Sequence, residues 1–373
     1  MDKQQISQIQ LFVTMVSFQL GSAVILGIGM DAKQDAWIAI LFAMVAGLGL
    51  FSIYGYLARE YPQKTMFDCI ESIIGKFGAK IISLLYAAYF IYIAARVLRD
   101  FGDLVLTTVL PETPLLAVNI LMSLVILYAF RLGVEVIVRF AEILFPYVFI
   151  GLLLFFIFIF AGGLPDWTNL QPVLENGWKP VFSAAFPNIL TFPFGETIVF
   201  WVIMAHIKNC KKVIPIGLLS ILTAGLFLTL VNIINIAVLG TYHAKTHLFP
   251  FLETIEKVNI AEVFQRLDPI ALTIFIVGGY LKITILFTAG MIGLQYVFSK
   301  KYSKFLTALV GALLVISSIY MSENFTEHLT VGLEIVPRFL HIPMQVIFPI
   351  LLLITHLIKK RFKKGDHQAM RLQ

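Results

Sequence analysis

Apolar runs of bilayer length alternate with short polar connections along this chain. About 20 consecutive apolar residues are enough for a helix to cross a hydrocarbon core. Ten segments meet that description: 9–30, 36–57, 80–106, 115–131, 142–162, 181–206, 213–240, 269–298, 304–321 and 335–358. One longer polar connection, 241–268, has helical spacing around FLETIEKVNIAEVF. No low-complexity tract and no soluble domain interrupts the pattern. The expectation is an all-α integral membrane protein, a single polytopic domain over 1–373. Two five-helix sets, 1–162 and 181–358, precede a basic tail at 359–373.

Composition strengthens this reading. Hydrophobic residues make up 59% and charged residues 13%, against about 25% charged in soluble domains, and mean hydropathy is +0.89. A chain this apolar cannot hide its surface in one aqueous core. The first apolar run, with many spans after it, reads as a retained helix and not as a cleaved signal. With the N-terminus inside, the inside segments carry 19 Lys and Arg, the outside segments carry 6, and Arg96, Arg99 and Lys282 fall within spans. The positive-inside rule then places both ends on the cytoplasmic side. The net charge of +6 is a topology signal and a basic tail near lipid headgroups, not a nucleic-acid surface.

Two spans carry interruptions. Span 1 reads FVTMVSFQLGSAVILGIG, with Gln19, Gly21 and Ser22 near its middle. Span 6 holds Pro187, Pro193, Gly195 and Glu196 in TFPFGET and its approach. Proline removes a backbone donor and clashes with the preceding turn. Freed backbone groups in hydrocarbon need a protein, ligand or water partner. The interruptions sit at matching depths, and five plus five spans makes the second set run opposite to the first. That is the pattern of a LeuT-like inverted repeat, with discontinuous helices 1 and 6 forming a midplane site. Glycine and proline also mark simple kinks or close packing in membrane helices, and that reading stands beside the first.

The candidate chemistry follows from charges placed in lipid. An ionised side chain at the centre of a span costs roughly 2.5–3.5 kcal/mol and faces the bundle interior. Glu196 begins the second half of span 6, where a helix N-terminus favours negative charge; it is a ligand contact, an ion ligand, a proton carrier or a cap. Lys282 lies deep in span 8, able to replace a bound cation or pair with Glu196, or else to snorkel. In span 3, Tyr89, Tyr92, Arg96, Arg99 and Asp103 share one face. Arg96 with Asp100 and Arg99 with Asp103 are spaced to pair, and Arg96 is placed to grip a carboxylate or to cap the helix end. Asn232 and Asn235 suit interhelical hydrogen bonds. The candidate ligand site comprises Gln19, Gly21, Ser22 and Ala23; Tyr89, Tyr92 and Arg96; and Phe192, Phe194, Gly195, Glu196 and Thr197. Lys282 and Glu196 form the ion or charge pair. Cys69 and Cys210 give no disulfide framework or metal pattern, the histidines His243, His247 and His328 lack metal spacing, and no catalytic motif is present. No cofactor, metal or enzymatic activity is expected.

GSAVILGIG in span 1, FPFGET in span 6, the length and the ten spans resemble the B subunits of spore germinant receptors. These are the spore germination permeases, a branch of the amino acid/polyamine/organocation superfamily. The resemblance covers nearly the whole chain, and the Phe-Gly-Glu element is its more specific part. At Ala23 the sequence departs from the glycine-small-glycine pattern of related transporters. The resemblance implies a germinant-sensing subunit in the spore inner membrane, both termini on the core side. It implies A-type and C-type (lipoprotein) partner subunits and an amino acid or sugar as signal. A secondary active transporter of amino acids or similar solutes is the alternative.

Overall fold

The computed structural model describes residues 5–207, 210–258, 267–298 and 303–370. The described residues are helical throughout, apart from connections and one isolated bridge between Ile6 and Ile207. The first half holds α1 (Gln8–Ala23), α2 (Ala36–Glu60), α3 (Met66–Ile74), α4 (Lys76–Thr108), α5 (Leu115–Leu132) and α6 (Val134–Ala161). The second holds α7 (Trp178–Ala184), α8 (Val199–Ile203), α9 (Val213–Thr246), α10 (Pro250–Glu256), α11 (Asp268–Phe298), α12 (Ser303–Tyr320), α13 (Phe325–Thr330) and α14 (Phe348–Met370). Eight helical segments among the described residues are long and apolar enough to cross a membrane. A ninth appears if α12 and the helix starting at Phe325, bent by 109°, are taken together. The remaining segment of the sequence pattern is α1, only 16 residues long.

Two differences from the sequence reading are local. The short amphipathic α3 occupies what reads as a loop. Within 241–268, α9 runs on to Thr246 past a kink at Gly240, and α10 takes up part of the helical spacing; residues 259–266 lie outside those described.

Inner and outer helices follow from burial. The most apolar window of helix 6 (Trp178–His206) is 89% buried, while those of α5 and α6 are 22% buried. The outer pair turns Leu121, Ile143 and Ile157 outward, as lipid contact requires. At the centre, α1 packs on α11, α9 and α6, and α4 packs on α11. Small residues set that centre. A Cβ on Gly21 would stand 2.7 Å from the Gly278 carbonyl oxygen, so the backbones of α1 and α11 touch there. This is the small-residue contact by which membrane helices approach closely. Gly21 is therefore a crossing point inside α1, and the helix ends later, at Ala23, where Ile25 and Leu26 N–H groups turn back to the Ser22 carbonyl.

Helix 6 is interrupted where its prolines dictate. The residue before a proline is pushed from helical to extended dihedrals. Phe186 (φ −128°, ψ 128°) and Phe192 (φ −128°, ψ 111°) precede Pro187 and Pro193. Between α7 and α8 the chain forms wide π-type turns over Ala185–Phe194 and a tight turn at Gly195–Ile198. Helix 10 (Pro337–Phe362) departs from regularity as well, with π-type turns over Pro337–Ile347 before α14, and Val331–Ile335 leading into it also forms π-type turns.

Candidate functional site

The prolines leave Glu196 on the first turn after the break, facing α11. There Oε2 lies 2.5 Å from Nζ of Lys282, and both side chains are buried, Lys282 completely. The ammonium also donates to Ser22 Oγ at 2.9 Å. It sits 4.4 Å from the Phe192 ring centre and 5.2 Å from that of Phe18. A buried ammonium needs such a full set of partners; a carboxylate, a hydroxyl and two ring faces supply it. α1, helix 6 and α11 are thus pinned together at one charge pair.

Beside this pair lies a cavity of about 40 Å³, lined by Glu196, Phe192, Arg96, Asp100, His341 and Leu26 among others. By volume it has room for two or three waters. Phe192, Leu329 and Leu333 also line a larger vestibule of about 220 Å³, whose polar walls include Asp31, Asn188, Lys245 and Glu334. These three apolar side chains are the partition between vestibule and cavity.

Polar contacts fix the far wall. The Arg96 guanidinium donates to the His328 carbonyl and, at 3.4 Å, to Tyr92 Oη. Asp100 pairs with His328 at 2.9 Å and not with Arg96, while Arg99 and Asp103 pair at 2.5 Å as their spacing suggests. Among the described residues no carboxylate lies within ion-pair distance of Arg96. Tyr89 Oη meets His341 Nδ1 at 2.8 Å and accepts from Gln345 Nε2 at 2.7 Å. A Cβ on Gly195 would fall 2.1 Å from Gln345 Oε1, and one on Gly332 would strike the Arg96 guanidinium. Helix 10 therefore rests directly on the break in helix 6 and on α4. Its backbone is held by Tyr86 and Tyr54, which donate to the carbonyls of Met344 and Gln345. At its far end His356 Nδ1 meets Tyr61 Oη at 2.8 Å, Lys359 donates to the Ile73 carbonyl at 2.6 Å, and Lys360 pairs with Glu60 at 2.6 Å.

Of the residues singled out in the sequence, Arg96, Phe192 and Glu196 line the cavity together. Lys282 and Ser22 stand behind them, and Tyr92 braces Arg96. Tyr89 and Gly195 contact helix 10. Gln19 is buried and donates to the Met15 carbonyl of its own helix. Gly21 faces α11, Ala23 closes α1, Phe194 packs on Gly47, and Thr197 donates to the Phe194 carbonyl at 2.6 Å. Asn235 makes the interhelical bond expected, accepting from Thr254 of α10, while Asn232 donates to the Ile28 carbonyl in the connection after α1. Sequence reasoning missed Asp100 as a wall residue, and it missed His328, His341 and Gln345. The last two are polar residues beside Pro337 and Pro343 in an apolar run, the same signal that marked span 6.

A sequence profile described as "Spore germination protein" matches residues 5–326. Spore germination protein KB of Bacillus subtilis (strain 168) is 37% identical over 361 residues, covering 97% of each chain. The chain belongs to the spore germination protein family. Within the family, YndE of Bacillus subtilis (strain 168) is 27% identical over 338 residues, 89% of this chain and 90% of that protein. Protein XB of Bacillus anthracis is 24% identical over 343 residues, 89% and 91% respectively. In fold, this family member is similar to the crystal structure of MhsT in complex with L-phenylalanine. The TM-score is 0.60 at 15% identity, with 96% of this chain and 99% of that chain covered. The architecture is LeuT-like, and the protein is a multi-pass membrane protein connected with germination.

Proposed function

We propose that this chain is the germinant-sensing transmembrane subunit of a spore nutrient receptor. It binds a small nutrient, an amino acid or a sugar, in the cavity at the helix 6 break and triggers germination with A-type and C-type (lipoprotein) subunits. It resides in the spore inner membrane with both termini on the core side, as two five-helix repeats, 1–162 and 181–358, and a basic tail. The observation that carries the reading is the convergence of Glu196, Phe192 and Arg96 on one small cavity beside a polar vestibule, in a member of the germination family. Arg96, buried without a carboxylate partner among the described residues, suits a ligand carboxylate or hydroxyls. The Phe192, Leu329 and Leu333 partition opens to admit it.

The test is a germination dose-response panel in a deletion strain complemented with Glu196→Gln, Arg96→Gln and Phe192→Ala. Each is expected to shift the nutrient concentration for half-response at least fivefold when strains are matched for membrane protein level. Unshifted curves at normal protein level would remove the cavity from the mechanism.

A second reading, secondary transport of amino acids or related solutes, is favoured by one observation. The fold is shared with MhsT, whose structure holds L-phenylalanine. Uptake by the purified chain alone in vesicles, with normal germination of the deletion strain, would select it.

A further inference from the structure

Donors and acceptors are unevenly matched around the cavity beside Glu196. Its two carboxylates are engaged, Glu196 by the Lys282 ammonium and Asp100 by His328. The other two polar residues of the wall, Arg96 and His341, offer donors. A guanidinium carries five N–H groups, and the protein takes up only some of those on Arg96, at the His328 carbonyl and Tyr92 Oη.

His341 is 3% exposed, and both of its hydrogen bonds fall on Nδ1, with Tyr89 Oη at 2.8 Å and Gln345 Nε2 at 3.3 Å. Nε2 has no partner among the described residues, and no carboxylate lies within ion-pair distance of the ring. It is not sealed in the interior as the partnerless His328 Nδ1 is, so it opens onto the cavity that the residue lines. A buried polar atom without a partner beside open space calls for a polar occupant.

The bonds at Nδ1 decide what Nε2 presents, because the proton of a neutral imidazole goes to the nitrogen that is not accepting. The Gln345 amide donates to Tyr89 Oη at 2.7 Å. Among the described residues, His341 Nδ1 is then the acceptor within reach of the tyrosine's own hydrogen, and it remains so without Gln345. Nδ1 therefore accepts and Nε2 carries the proton. A charged imidazolium also carries one there, so Nε2 donates in either state.

We propose that His341 contacts the nutrient and sets its class. Its Nε2–H donates, together with Arg96, to an acceptor oxygen of the ligand: a carboxylate, carbonyl or hydroxyl. Tyr89 is the positioning residue that holds the ring in this tautomer. An amine or metal cation without an acceptor oxygen finds no partner on these two residues. This role rests on the reading of the cavity as the nutrient site.

The complemented deletion strain is germinated in dilutions of a mixture of the L-amino acids with D-glucose, at matched membrane protein level. His341→Gln keeps a donor where Nε2 stood, and His341→Asn keeps an amide only where Nδ1 stood. The half-response concentration is expected to stay within twofold of wild type in His341→Gln. It should rise at least fivefold in His341→Asn and at least threefold in Tyr89→Phe. Histidine-selective nitrogen NMR of the purified protein, with the His341 signal identified by its loss in His341→Gln, is expected to show the Nε2–H tautomer in wild type and a mixture in Tyr89→Phe. Equal losses in His341→Gln and His341→Asn, the reverse order, or an Nδ1–H tautomer in wild type overturns the proposal. If Arg96→Gln and Glu196→Gln shift the response while neither His341 variant does, this role fails and the nutrient site stands. If none of the four shifts it, the site itself falls.

Discussion

Replacing Glu196 with Gln keeps the side chain's shape and removes its charge, leaving Lys282 as a fully buried ammonium with Ser22 and two aromatic faces for company. At 2.5 Å the pair's attraction is about 7 kcal/mol for an effective dielectric of about 20. Most of that offsets the cost of taking both ions out of water, so the net value of the intact pair is small. Removing one partner is different, because the remaining charge keeps its desolvation cost; this typically costs about 3–5 kcal/mol. The ring faces return up to about 2 kcal/mol, which places Glu196→Gln near 1–3 kcal/mol. Lys282→Met leaves the carboxylate buried and falls in the same range or above. The double variant Glu196→Gln/Lys282→Met removes both charges and is expected near the wild-type value, which makes the coupling at least about 2 kcal/mol. The assay is unfolding of the purified protein in mixed micelles, read as a double-mutant cycle. Additive losses, or single variants as stable as wild type, would refute the claim that this pair pins α1, helix 6 and α11.

Gly21→Ala drives a methyl into the Gly278 carbonyl, a backbone atom that cannot swing aside; a loss of roughly 1–3 kcal/mol is expected in the same unfolding assay. Gly49→Ala, which meets nothing within 4 Å, is the neutral comparison. Gly195→Ala collides with Gln345 Oε1 and should shift nutrient dose-response at normal protein level. Gly195→Ala/Gln345→Ala should recover it, and failure to recover would mean that the collision is not the cause. His328→Ala frees Asp100 and is expected to shift the dose-response; an unchanged curve would exclude the Asp100–His328 pair from the cavity's function.

The features read most directly from the sequence were those that violate a membrane helix's ordinary composition. Glu196 and Lys282 stood out because charge in an apolar run is expensive, and Pro187 and Pro193 because each restricts the residue before it. Gly21 was harder, since glycine serves a break and a close crossing equally well; only the position of Gly278 decides, and that contact spans more than half the chain. Phe194 and Thr197 share the short motif of Glu196, yet a helical turn points neighbours in different directions, so sharing a motif did not mean sharing a cavity. His341 and Gln345 passed as ordinary residues of the last span because their meaning lies in partners, Tyr89 and Gly195, far away in sequence.

The two sets of contacts along helix 10 make it a lever arm. Gln345 touches the break in helix 6, and Lys360, fifteen residues on, holds Glu60 at 2.6 Å. At 1.5 Å rise per residue these points are about 22 Å apart. If the helix turns as a rigid rod about its upper contacts, a tilt of about 5° carries the Lys360 end about 2 Å sideways over that length, enough to part it from Glu60. An adjustment at the break too small to open a path through the membrane would still be legible at the opposite face.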